Sequence, residues 1–169
     1  MNLYQSLGYL VLGSRLRRLS ENFLAEINRA YQNEGIDFDA SWFPVFYLLS
    51  KNNSLSIKEL SDQTEVSHPA ASQLITNLKN RGLVTSITAA DDGRRQLVQL
   101  TDSGRELLAR ILPMWDAVLS AMNELVAADE ACKELLTSIA ALENSFKTIP
   151  LSERISNKLN TDLKSAANE

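Results

Sequence analysis

The stretch 67–81, SHPAASQLITNLKNR, carries residue types suited to reading the edges of nucleic-acid bases. Gln73 and Asn77 stand one helical turn apart, and each carboxamide offers a donor beside an acceptor, the pattern an adenine edge takes as a bidentate pair. Pro69 and Ala70 are small and apolar enough to meet thymine methyls. Ala71, Leu74, Ile75 and Leu78 fall at i, i+3, i+4 and i+7, so one helix face is apolar. That leaves His68, Ala70, Ser72, Gln73, Thr76, Asn77 and Asn80 pointing outward. A solvated surface helix has the same pattern, so the neighbouring elements must decide between the two readings. Lys58, Lys79 and Arg81 are read either as phosphate contacts or as plain surface charge.

Other chemistry finds less support. With one histidine, His68, and one cysteine, Cys132, the chain offers no ligand set for a zinc or iron–sulfur centre, and no metal or cofactor is expected. His68 is read as a polar residue near the helix cap, and Cys132 as a small buried hydrophobe. There is no Gly-rich phosphate loop, no nucleophile with a histidine partner and no carboxylate pair in a defined motif, so the chain is not read as an enzyme. Trp42, Phe43, Phe46 and Tyr47 form the densest aromatic run, and with Phe23 and Trp115 they either fill a core or line a crevice.

The elements that must hold these residues follow from periodicity. Apolar residues recur at steps of three and four from residue 6 to 33, predicting one helix about 42 Å long that ends at Gly35. A helix that long in so small a chain is expected to pack on a partner. Ser41 is expected to cap a helix over 42–50 that has Pro44 in its first turn. Helical patterns at 57–64 and 67–81 are separated by two or three residues, which forces a steep crossing, as in a helix-turn-helix. Ser67 is the expected N-cap of the second, Pro69 lies in its first turn, and Gly82 ends it.

Residues 83–88 and 96–100 read as strands joined by AADDGRR, where Asp92-Gly93 signals a hairpin turn. A hairpin directly behind a helix-turn-helix is a wing. Thr101 then caps a helix that Pro113 is expected to kink or restart, with a break near 127–129 and an end at Ile149-Pro150. Residues 149–169 form a tail with a short amphipathic helix, disordered from residue 165.

The 169 residues are few enough for one domain with appended helices, and ten Gly plus Pro argue against a turn-rich β fold. At 44% apolar and 22% charged the chain is an ordinary soluble one. The only early apolar patch, 7–12, is too short to span a bilayer and lacks a basic stretch before it. Neither a signal peptide nor a membrane contact is expected, and the location is read as cytoplasmic. The fold class is mainly α with a small β-hairpin.

The segments LSIKELSDQTEVSHPAASQLITNLKNRGLV, 55–84, and DDGRRQLVQLTDSG, 91–104, resemble the multiple-antibiotic-resistance regulator (MarR) family of winged helix-turn-helix transcription factors. Asp92, Arg94, Leu100 and Thr101 match the family's Asp-x-Arg and its apolar strand ending in Leu-Thr. The resemblance runs from about residue 6 to 147. The first 50 residues look most like the regulator half of members fused to an N-acetyltransferase, for which no room remains here. The resemblance implies a domain over 1–148, with a DNA-binding core at 41–101 and dimerisation helices at 6–33 and 102–148. It also implies a homodimer presenting its winged helices to successive major grooves of double-stranded DNA.

By the same resemblance Arg94 is the wing arginine that enters the minor groove, Asp92 holds it by an ion pair, and Arg95 touches phosphate. Gln73 stands where the family usually has a basic residue, and Asn77 where it often has another, a departure that bears on the base sequence read and not on the groove placement. The family's crevice between dimerisation helices and winged domain takes small aromatic acids. Here Arg17 or Arg18 would anchor the carboxylate and Phe23, Trp42, Phe43, Phe46, Tyr47 and Trp115 would line the pocket. The function expected is a regulator binding a pseudo-palindromic operator and released by an effector; the alternatives are a winged-helix protein-interaction module or the regulator fragment of an acetyltransferase.

A net charge of −4 and an isoelectric point near 5.1 look wrong for a DNA-binding chain. The charge is unevenly spread. Residues 67–101 hold four basic and two acidic residues, whereas 102–169 hold seven and eleven. The acidity therefore lies away from the expected DNA face.

Overall fold

The structure is a computed structural model describing residues 6–89 and 95–166, with side chains described through residue 160. It divides into two compact units, 1–118 and 119–169.

The first unit opens with a 3-10 turn, Gly8–Val11, followed by helix α1, Leu12–Asn33. The unbroken helix expected from residue 6 therefore starts six residues later. Gly8 takes a left-handed φ of +55°, which interrupts the helical hydrogen-bond ladder. At its other end α1 stops where expected. Gly35 turns left-handed, its N–H donates to the Gln32 carbonyl and the Ile36 N–H reaches back to the Tyr31 carbonyl, which closes the last turn.

A second 3-10 turn, Ala40–Trp42, precedes α2, Phe43–Lys51. The capping side chain is Asp39, whose carboxylate accepts from the Ser41 N–H at 2.8 Å, and not Ser41 as expected. The extra turn moves the start of the helical path upstream, so the cap moves with it.

Strand β1, Leu55–Ser56, leads into α3, Ile57–Thr64, and then α4, His68–Asn80. Strands β2, Val84–Thr88, and β3, Gln96–Leu100, form the hairpin. The sheet has three antiparallel strands in the order β1-β3-β2, with Val98 facing Ser86 on one side and Leu55 on the other. The third strand went unforeseen because two residues are too few to show an alternation.

Helix α5, Asp102–Ala127, is capped by Thr101, whose hydroxyl accepts from the Gly104 N–H at 3.0 Å. It continues through Pro113 as one helix, so of the expected kink or restart the restart does not occur. Pro113 removes one donor, that for the Ala109 carbonyl, and both residues lie on an exposed face where this is tolerated.

The core lies in the first unit. Tyr31, Phe46, Leu60, Ile75, Leu78, Val98 and Ile111 are its fully buried large side chains, drawn from five helices and one strand.

The second unit continues α5 to Ala127, makes a 3-10 turn at Glu130–Cys132, and adds α6, Leu135–Thr148, and α7, Leu151–Ala166. The break near 127–129 falls where the sequence indicated. The tail helix is longer than expected and includes residues 165 and 166. Arg154 fixes the turn into it by donating to the Ser145 and Ile149 carbonyls. No described residue of this unit is buried, and Cys132 is half-buried where a buried one was expected.

Candidate nucleic-acid interface

Helices α3 and α4 are set by their caps and the turn between them. Ser56 and Glu59 form a reciprocal capping box at the start of α3: the Ser56 hydroxyl accepts from the Glu59 N–H, and the Glu59 carboxylate accepts from the Ser56 N–H at 2.7 Å. At its end Glu65 adopts a left-handed φ of 53°, and the buried Ser61 hydroxyl donates to the Val66 carbonyl at 2.9 Å. These bonds close the turn. Ser67 then caps α4, accepting from the Ala70 N–H. Gly82, at φ +70°, ends it with the Leu83 N–H donating to the Leu78 carbonyl.

Anchored at both ends, α4 buries Ala71, Ile75 and Leu78 and half-buries Leu74 against the core. Its opposite face is open. Ser67, His68, Pro69, Ala70, Gln73, Thr76, Asn77 and Lys79 are exposed, and Ser72 is half-buried with its carbonyl accepting from the Thr76 hydroxyl. The α4 residues expected to point outward, Asn80 included, are thus exposed, with the half-buried Ser72 the exception. Lys58 is also exposed, one helix away.

Two arginines read as phosphate contacts are engaged within the chain. The Arg95 guanidinium donates to Glu59 at 3.0 Å. Arg81 lies 4.7 Å above the Trp42 ring and reaches Asp37 at 3.4 Å, so it joins the end of α4 to the segment between α1 and α2. Asp92 and Arg94, with their expected ion pair, lie outside the described residues. Glu59 is the site residue that sequence reasoning missed. Its Ser-x-x-Glu spacing from Ser56 signals the cap, but nothing local signals a partner 36 positions away. Its carboxyl is held below the ordinary glutamate range, first by the Ser56 hydroxyl and amide and then by the Arg95 charge.

The aromatic residues sort into two groups. Trp42 and Phe46 are buried and pack edge-on against Phe38, so they are core. Phe43, Tyr47 and Trp115 make a separate cluster at centroid distances of 4.9 to 6.1 Å, with Phe43 and Tyr47 more than 40% exposed. Phe23 belongs to neither group among the described residues. Arg17 is paired with Glu21 along α1 at 2.8 Å.

Comparison with known proteins agrees with this architecture. Residues 36–95 match a family model described as MarR family, a segment that contains α2, the helix-turn-helix and strand β2. The HTH-type transcriptional regulator FarR of Neisseria gonorrhoeae is 26% identical over 122 residues, 71% of this chain and 83% of FarR. Among solved structures, the S. aureus MepR–DNA complex shares the fold with a TM-score of 0.65 at 19% identity, over 79% of this chain and 96% of that one. Bordetella bronchiseptica BpsR, whose DNA binding is regulated by 6-hydroxynicotinic acid, gives a TM-score of 0.62 at 20% identity, over 78% and 91%. A matching segment centred on the helix-turn-helix, a relative aligned over most of both chains and a shared winged-helix fold lead to one conclusion: residues 36–95 match the MarR family, within a chain that has the fold of its solved regulators.

Proposed function

We propose that this chain is a sequence-specific DNA-binding transcriptional regulator that works in the cytoplasm as a homodimer. The observation that carries the reading is the outward face of α4, which keeps Gln73, Thr76 and Asn77 exposed while the opposite face is locked into the core. A helix of this kind enters the major groove with its N-terminal residues at base edges, and here those include Ser67, His68, Pro69 and Ala70. Arg94 supplies the minor-groove contact from the wing. The MepR–DNA complex supports the groove geometry by its common fold.

Dimerisation is supported by uncovered apolar side chains. Leu16, Leu19, Phe23 and Leu24 on α1, and Leu136, Ile139 and Phe146 on α6, are all exposed within the chain. Helices with open apolar faces are stable when a partner covers them, and a twofold dimer would bring two copies of α4 to half-sites about 10 bp apart. The half-exposed cluster of Phe43, Tyr47 and Trp115 is the surface on which a small aromatic acid would stack to relieve binding.

Selection of bound duplexes from a randomised pool tests the reading directly. The expected product is an inverted repeat bound by the dimer, with affinity falling steeply as salt rises. Enrichment of no sequence above the starting pool would overturn it and favour a winged helix used for protein contact.

A further inference from the structure

Arg95 stands at the foot of the wing. Its carbonyl accepts the Ala89 N–H at 2.8 Å, one step beyond the paired strands β2 and β3, and its side chain crosses to Glu59 at 3.0 Å. The same Glu59 carboxylate accepts from both the amide and the hydroxyl of Ser56, at 2.7 Å each. Ser56 in turn belongs to β1, where it pairs with Leu97 of β3. One carboxylate therefore joins the third strand, the first helix of the helix-turn-helix and the foot of the wing.

The arrangement uses both oxygens. One is committed to the helix cap and the other to Arg95, so the cap fixes the direction in which the second oxygen points. Both partners are only about 40% exposed, and the Glu59 carboxyl stays ionised far below neutrality because Ser56 donates to it twice. The charge is thus present wherever the protein is folded near neutral pH.

We infer that Glu59 is a positioning residue, which tethers the foot of the wing through Arg95 to the helix-turn-helix, and that Arg95 acts as this tie and not as a phosphate contact. The inference rests on the DNA-binding reading for its consequence, and on the free protein alone for its mechanism. A wing tied at its foot keeps a fixed angle to α4, so both contact surfaces meet the duplex in one register.

The test separates cap from tether. Glutamine serves in a capping box as glutamate does, so Glu59→Gln keeps the Ser56 bonds while removing the charge that holds Arg95. In the full-length free protein, hydrogen exchange at the Ala89 amide is expected to accelerate about fivefold in Glu59→Gln and equally in Arg95→Gln, with no further gain in the double variant. The amides of α3 keep their protection in Glu59→Gln. Affinity for the selected duplex is expected to fall by a similar factor in each single variant, and again non-additively.

Unchanged Ala89 exchange in Glu59→Gln would overturn the tether. So would an Arg95→Gln variant that alone loses affinity and about one unit of salt slope, the signature of a phosphate contact. If the wild-type chain binds no duplex, the functional reading fails while the exchange measurement still decides the tether.

Discussion

The indole N–H of Trp115 donates to the hydroxyl of Tyr31 at 3.0 Å, joining the last turn of α1 to the middle of α5 across 84 positions of sequence. Tyr31 is almost fully buried and packs edge-on against Phe38, so this bond sits at the wall of the core. Replacing Tyr31 with Phe keeps the ring and strands the indole donor, which costs about 1–2 kcal/mol. Denaturant unfolding of the two proteins measures the difference.

The same tyrosine predicts an alkaline limit. Burial raises the Tyr31 pKa above the ordinary value, an effect that the Trp115 bond only partly offsets. Its neutral form is therefore favoured by folding. The contribution is complete below about pH 10, where the unfolded tyrosine is still protonated, and is lost as pH rises toward the higher folded value. Tyr31→Phe should show a shallower loss of melting temperature above pH 10 than the wild type.

Ser56→Ala removes one side of the capping box and is expected to cost about 1 kcal/mol. It also releases the Glu59 carboxyl from its chief stabiliser. A carboxyl with a depressed folded pKa contributes stability above the ordinary glutamate value, about 4.3, and loses it as pH falls through the lower folded value. The variant's stability should thus vary less than the wild type's between pH 5 and 3, as read from acid titrations followed by circular dichroism.

Gly104 is predicted to tolerate no side chain. A Cβ there would overlap the Leu83 carbonyl oxygen, the acceptor that the Thr101 amide uses to attach α5 to the sheet. Gly104→Ala should lower stability by about 3 kcal/mol, because backbone cannot move aside as a flexible side chain can. Thermal melting would reveal it, and a melting temperature within a degree of wild type would contradict the packing described.

On DNA, Gln73→Ala or Asn77→Ala should relax base preference at one position by about 1–3 kcal/mol and leave the salt dependence unchanged. Lys79→Ala and Arg94→Ala should instead weaken binding to all sequences and reduce the salt slope by about one unit each. Competition binding against single-base variants of the selected site, repeated across salt concentrations, separates the two classes.

Much of this could be read directly from the chain. The bounds of α3, the exposed face of α4, the closing glycines Gly35 and Gly82 and the hairpin strands follow from local rules. Apolar spacing, a capping serine or a left-handed glycine acts within one or two turns, so a single sequence contains its own evidence. The division of the aromatics does not follow in this way. Phe43 and Phe46 share a helix, and only the packing of Phe38 beneath one and Trp115 beside the other makes Phe46 core and leaves Phe43 at the surface.

The arginines show the same boundary. As residue types, Arg81 and Arg95 at the edges of a helix-turn-helix and wing read as free cations suited to phosphate. Each finds a carboxylate on a distant segment, Asp37 and Glu59, and is paired with it in the folded chain while staying partly exposed. Local periodicity and turn chemistry set which elements form and which faces they bury. Which charges remain for a partner depends on contacts between residues tens of positions apart, and those distances exist only once the chain has folded.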